Sequence, residues 1–222
     1  MAVTCVQLAG VLGSYVHEAR GIQTPYSKFA KGKSLSNPIP SRVGMLLIYL
    51  PATMFNLYEL IARGSTQFYS DNVFILNVAI FIHFLKRVVE TLFVHRYSGD
   101  TEGTVAAFIG AYYTVVSWII IHFHQNLGVK TSLYSMSTKL GIFFFVVGEL
   151  GNFYHHKILS KLRHDSKFDS RTYFVPNGGL FDYVATPHYF FELIAWLGIA
   201  FISQQGSLTN SFTHAAELWS DH

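Results

Sequence analysis

The chain has little of what a soluble protein depends on. Of its 222 residues only 13% are Asp, Glu, Lys or Arg, against roughly 25% in typical globular domains. It has one cysteine, Cys5, which excludes a disulfide framework and a zinc site built from thiolates. The formal net charge of +3 is too small for a nucleic-acid partner, and the basic residues lie between apolar runs, not along one stripe. No Gly-x-Gly-x-x-Gly run follows a strand pattern, so a soluble-type dinucleotide fold is excluded. No motif supports a nucleophilic Ser or Cys beside a base, and no internal repeat or low-complexity tract is visible. What is abundant is apolar: half the chain is hydrophobic, with 20 Phe and 13 Tyr, and the mean hydropathy is +0.30. Disorder requires the opposite composition. The class is an integral membrane protein.

A helix needs about 20 mostly apolar residues to cross a bilayer. Five segments approach that length: Val43–Ala62, Val73–Val94, Thr104–Phe123, Leu140–Ile158 and Tyr183–Ser203. A sixth, Ala2–Val16, is shorter and lacks the basic start and small-residue cleavage site of a signal peptide. It reads as a clipped or tilted first helix. The expected fold is all-α, a polytopic transmembrane bundle of about six spans. Residues 1–205 form the membrane domain and residues 206–222 a polar tail. Basic residues concentrate in the odd-numbered connections, with Arg20, Lys28, Lys31, Lys33 and Arg42 in the first and Lys157, Lys161, Arg163, Lys167 and Arg171 in the fifth. The positive-inside rule places those connections in the cytoplasm and the N-terminus in the lumen.

Three segments carry ionisable residues at membrane depth. In FIHFLKRVVETLFVHRYS, His83, Arg87 and Glu90 recur at helical spacing, so one face is polar while Val88, Val89, Leu92 and Phe93 supply the other. In VVGELGNFYHHKILSKLR, Glu149, Asn152 and His156 share a face, and in TPHYFFELIAW so do His188 and Glu192. Ionisable groups inside a bilayer cost several kcal/mol unless paired or wetted. Structural pairs that hold helices together would explain each one singly. Three such faces together favour a shared wet cavity.

Eleven His raise the question of metal. His122-x-His124 and His155-His156 are present, but the full set of His boxes that a di-iron lipid oxidase needs is absent. Adjacent His155 and His156 point about 100° apart on a helix and do not easily share one ion. No metal is expected.

The segment YFVPNGGLFDYVATPHYFFELIAWLGIAF, from Tyr173 to Phe201, closely resembles the signature of the steroid 5α-reductase family. GNFYHHKILSKLR matches as well, and HFLKRVVETLFVHRYSG is similar to the very-long-chain trans-2-enoyl-CoA reductases of the same superfamily. SRVGMLLIYLPA is similar to plant members. The resemblance covers roughly residues 10–205. It implies a seven-helix bundle in the endoplasmic reticulum membrane, with NADPH as cofactor and a lipid as substrate. The implied reaction adds a hydride to the β-carbon and a proton to the α-carbon of a C=C conjugated to a carbonyl. By the same resemblance Asn152, Arg163, Tyr173 and Arg96 match residues that contact NADPH, and Arg87 matches an intramembrane arginine that orients phosphate or an acid. Glu192 matches the acid of the last motif, near nicotinamide and substrate. His83, Phe84, Glu90 and His188 fall in the implied substrate cavity.

Some positions depart from the pattern. Where steroid reductases place a Glu on the keto oxygen, this chain has Tyr49, and their partnering Tyr is Phe84 here. The Asn of the last motif is His188, and an Asp that faces the cofactor is His156. A Tyr hydroxyl still donates to an enolate oxygen, so Tyr49 takes the role of acid beside Glu192, and a steroid substrate is disfavoured. The similarity fades after Ser203, and the tail GSLTNSFTHAAELWSDH is unlike the family's basic, aromatic C-terminal stretch. Three readings follow: a lipid C=C reductase; a truncated, inactive membrane protein associating with other lipid-metabolic subunits; or, least favoured, a di-iron hydroxylase.

Overall fold

A computed structural model describes residues 35–63, 71–126, 135–165 and 175–203. In chain order the elements are β1 (Pro38–Pro40), α1 (Ser41–Arg63), α2 (Asp71–Val89), a π-helical turn (Glu90–Val94), β2 (Asp100–Glu102), α3 (Gly103–Asn126), α4 (Met136–Asp165), a 3-10 turn (Gly179–Asp182) and α5 (Pro187–Ser203). The described chain is mostly helical, as the apolar segments require.

The all-α expectation needs one correction. β1 and β2 pair antiparallel, with Pro38 opposite Glu102 and Pro40 opposite Asp100. Proline fixes φ and holds the residue before it extended, so Pro38-Ile39-Pro40 cannot begin the helix that starts at Ser41. The Glu102 carboxylate completes the clasp by accepting from the backbone N–H groups of Ser36 at 2.8 Å and Asn37 at 3.0 Å and from Thr104 Oγ1 at 3.0 Å. Glu102→Ala is expected to cost about 1–3 kcal/mol, as for buried donors left without an acceptor. The check is amide exchange: Ser36 and Asn37 should exchange faster while α4 is unchanged.

Among the described residues, two helices are long and apolar enough to cross a membrane, Ser41–Ala62 with mean hydropathy 1.5 and Gly103–His122 with 1.8. α5 is apolar but has 17 residues. α2 carries Lys86 and Arg87 in its last turn, and α4 carries Glu149, His155 and His156. Ala2–Val16 and the tail from residue 204 lie outside the described residues.

Many large apolar side chains face outward, while several polar ones are buried beside an apolar core that includes Ile48, Leu76 and Ile80. Phe108, Leu193 and Leu150 are exposed on α3, α5 and α4, while Asn56, Asn77, Glu90 and Asn152 are fully buried. A water-soluble fold buries its apolar surface, so these exposed apolar side chains suit lipid outside. α1 packs on both α2 and α3, α4 lies along α5, and α2 reaches α5. Small residues set the closest crossings, as in membrane bundles. Pro51 removes the helical donor to the Leu47 carbonyl, and Gly110 of α3 passes against that carbonyl where a Cβ would collide. On α4, Gly141 and Gly148 meet the backbones of Gly198 and Ala195 on α5 in the same way.

Candidate active site

The polar face of α2 meets the polar face of α4. His83, Lys86, Arg87 and Glu90 repeat at i, i+3, i+4 and i+7, which one side of a helix presents together. His83 Nδ1 lies 2.6 Å from Glu149 Oε1, and Lys86 Nζ lies 2.8 Å from Glu149 Oε2. Lys86 also donates to Asn152 Oδ1 at 2.5 Å. An ammonium has only donors, so the Asn152 amide is fixed with its NH2 pointing the other way, where it donates to the His188 carbonyl at 2.9 Å. That bond attaches α5 to the pair.

Arg87 gathers four of the five helices, α2 itself with α1, α4 and α5. Its Nη2 donates to the Tyr49 hydroxyl of α1 at 2.8 Å and lies 3.6 Å from Glu192 Oε2 of α5. Its Nη1 lies 3.4 Å from His156 Nε2 of α4 and 3.9 Å from Glu90 Oε2. The guanidinium also stands 4.9 Å over the Tyr49 ring, close enough for a cation–π contact.

Beyond Arg87 the helix widens. His95 N–H donates to the Glu90 carbonyl at 2.7 Å, an i to i+5 bond that defines a π turn. In an α-helix two residues five apart diverge by about 140°. The π turn brings His95 back, with Nε2 3.9 Å from Glu90 Oε2 and its ring 4.7 Å from that of His156. Glu90 Oε2 also receives His156 Nδ1 at 3.0 Å. Glu90, His95 and His156 thus offer ligand-type atoms within 4.8 Å of one another. Lys86 and Arg87 already flank the same carboxylate, at 3.6 and 3.9 Å. Two fixed cations oppose a third, so the trio is a charge network and a poor metal centre.

An aromatic wall closes the apolar side. Phe84 is buried between Tyr113, at 5.4 Å, and Trp196, at 6.2 Å, and Trp196 also meets His83 at 4.9 Å. His155 points elsewhere, as its phase on the helix requires. It bonds the Gly151 carbonyl through Nδ1 at 2.7 Å and accepts the Leu180 N–H on Nε2 at 3.1 Å. The turn before Leu180 runs through Gly178 and Gly179 at φ 90° and 61°, a backbone that favours glycine.

The structure therefore brings together Tyr49, His83, Arg87, Glu90, Asn152, His156, His188 and Glu192, with Phe84 packed beside them. Arg96 is exposed beyond the π turn. The Arg163 side chain and Tyr173 lie outside the described residues. Lys86, His95, Tyr113 and Trp196 belong to the neighbourhood and were not expected there. Lys86 was legible, because it completes the 83–86–87–90 spacing. His95 was not, because its position depends on the π turn. Among the described residues, Arg87 Nε and His188 Nδ1 are buried without a hydrogen-bond partner. Glu90 Oε1, Glu149 Oε2 and Glu192 Oε2 of the same cluster also lack a hydrogen bond; buried polar atoms are nearly always paired, so the group fits a polar ligand.

A sequence model of the 3-oxo-5-alpha-steroid 4-dehydrogenase family matches residues 101–218, which is more than half of the chain. The chain belongs to this family. Its members are oxidoreductases acting on CH–CH groups of lipids. The chain is 28% identical to a very-long-chain enoyl-CoA reductase of Dictyostelium discoideum, over 62% of its own length and 45% of that protein's. It is 28% identical to a polyprenal reductase of Danio rerio, over 67% of this chain and 50% of that one. It is 24% identical to 3-oxo-5-alpha-steroid 4-dehydrogenase 1 of Rattus norvegicus, over 83% and 70%. The chain thus spans about half the length of the first two reductases. The resemblance expected to fade after Ser203 thus extends, as a family match, to residue 218.

Proposed function

We propose that this protein reduces a carbonyl-conjugated C=C bond in a membrane lipid, with NADPH as cofactor. The observation that carries this reading is the bond from Arg87 to the Tyr49 hydroxyl beside Glu192. It uses a lone pair of the phenol oxygen, so the phenol's own proton is the one it gives to a carbonyl oxygen. Glu192 and Glu90 hold the guanidinium from two sides, which fixes the phenol's position before substrate arrives. Such preorganised donors stabilise the oxygen charge that grows during reduction. NADPH, when bound, supplies the hydride for the β-carbon. The orphaned Arg87 Nε and His188 Nδ1 suit a polar cofactor group. Arg87 and Asn152 would hold it, with Arg96, Arg163 and Tyr173 contributing by family resemblance. His83, Phe84, Glu90 and His188 are assigned to the substrate side, and the aromatic wall excludes water from the reacting carbons.

Tyr49→Phe is expected to lower kcat about 10²–10⁴-fold, the usual contribution of a positioned acid. NADPH binding, followed by nicotinamide fluorescence, should be retained. A Phe variant that turns over like the parent removes Tyr49 from the chemistry.

The proposed setting is the endoplasmic reticulum membrane, crossed by about six helices within residues 1–205. Residues 206–222 form a polar tail, and other lipid-metabolic membrane proteins are the expected company. The N-terminus is assigned to the lumen from the loop charges. A glycosylation tag added there should be modified in microsomes, and an unmodified tag reverses the orientation.

A further inference from the structure

Tyr113 of α3 stands against the two rings that flank the Arg87 cluster. Its ring is nearly parallel to that of Tyr49, at 9° with centroids 6.2 Å apart, and lies 5.4 Å from that of Phe84. The Tyr49 ring thus has the Arg87 guanidinium near it at 4.9 Å as well as the stacked phenol of Tyr113. Arg87 and Glu192 are both within electrostatic reach of Tyr113. The residue is half-buried, yet its hydroxyl makes no hydrogen bond to any described residue, and only its ring contacts tie it to its neighbours. A buried Tyr hydroxyl usually finds a partner. The other phenol of the pair is committed to Arg87; this one is not. α3 is otherwise an apolar helix, with mean hydropathy 1.8 over Gly103–His122, and the Tyr113 ring packs inward from it against Tyr49 and Phe84.

We propose that Tyr113 is the second hydroxyl of the substrate site, donating a hydrogen bond to the same carbonyl oxygen that Tyr49 protonates. This rests on the reductase reading above. When the hydride forms its bond to the β-carbon, the C=C electron pair shifts and the carbonyl oxygen becomes an enolate oxygen. Tyr113 keeps its proton throughout and stabilises that oxygen as a donor. Tyr49 transfers its proton to the oxygen. The α-carbon then takes a proton from water as the enol oxygen returns its proton to Tyr49, so the product gains one hydride and one proton. Two stacked phenols, one from α1 and one from α3, suit an acyclic enoyl or enone lipid, whose carbonyl has no rigid ring system to orient it. Phe84, which lies between Tyr113 and Trp196, then serves as the apolar wall beside the C=C bond.

The test is Tyr113→Phe in the full chain, purified in detergent. The substitution keeps the ring stack and removes only the oxygen, so the melting temperature should stay at the parent's. The expected result is a kcat reduced about 10²–10³-fold, the effect of deleting one donor to a developing oxyanion, with NADPH affinity by nicotinamide fluorescence unchanged. A parent that reduces a medium-chain enoyl-CoA or an enone lipid, with a Tyr113→Phe variant equally fast, overturns the assignment and leaves the reductase reading intact. A variant that loses NADPH affinity along with turnover also overturns it, since the hydroxyl would then serve the cofactor. A parent that turns over neither substrate class removes the reductase reading and Tyr113's role together.

Discussion

Arg87→Met is expected to be the most damaging single substitution among the described residues. The guanidinium is the shared partner of Tyr49, Glu90, His156 and Glu192, and it joins α2 to α1, α4 and α5. Methionine keeps much of the volume and removes every donor. Glu90 is fully buried and would retain only Lys86 at 3.6 Å as a fixed cation, while Glu192 would lose its ion-pair partner. Breaking a buried charge pair by deleting one member costs about 3–5 kcal/mol. For a chain of this size that lowers Tm by about 10 °C, and turnover should vanish. Thermal unfolding in detergent checks the first effect. A Met variant that melts with the parent contradicts the network. Arg87→Lys should recover part of the stability and little activity, because an ammonium cannot reach Tyr49 and two carboxylates with one planar fork.

The second large effect is expected from Gly148→Leu. A Cβ at Gly148 would sit 2.7 Å from the Cα of Ala195 and from the Phe191 carbonyl oxygen, with the Ala195 backbone nitrogen closer still. These are backbone atoms, so α4 and α5 must separate. Overpacking of this kind costs about 1–3 kcal/mol or more. Function should suffer beyond that, because the Asn152–His188 bond and the Arg87–Glu192 pair both depend on where α5 lies. Leu150→Ala, on the exposed side of the same helix, is the control and should change little. Equal melting temperatures for the two variants would show that α4 and α5 do not cross at Gly148.

Much of this site was legible because it follows helical phase. The spacings of His83, Arg87 and Glu90, of Glu149, Asn152 and His156, and of His188 and Glu192 each name one helix face, and the structure brings those faces together. The divergence of His155 from His156 was legible for the same reason. Pairings between helices were not. Periodicity says which side of a helix is polar but not that Lys86 would bridge Glu149 and Asn152, or that Arg87 would choose Tyr49. His95 escaped because a π turn alters the residue count per turn, and no residue in Glu90–Val94 announces it. The β1–β2 clasp escaped because three-residue strands carry no period, and Glu102 reads as a charged loop residue until its backbone partners are seen. Tyr113 escaped because α3 reads as a uniformly apolar span.

Reduction of a conjugated C=C bond by hydride from NADPH is tested most directly by isotope transfer. The full chain would be incubated with NADPH deuterated at the transferable position of the nicotinamide and with an enoyl-CoA or enone lipid, and the product analysed by mass spectrometry. The predicted product carries one deuterium at the β-carbon, and the α-carbon hydrogen comes from water. A saturated product without that label, or no product from either substrate class while NADPH is bound, would contradict the account.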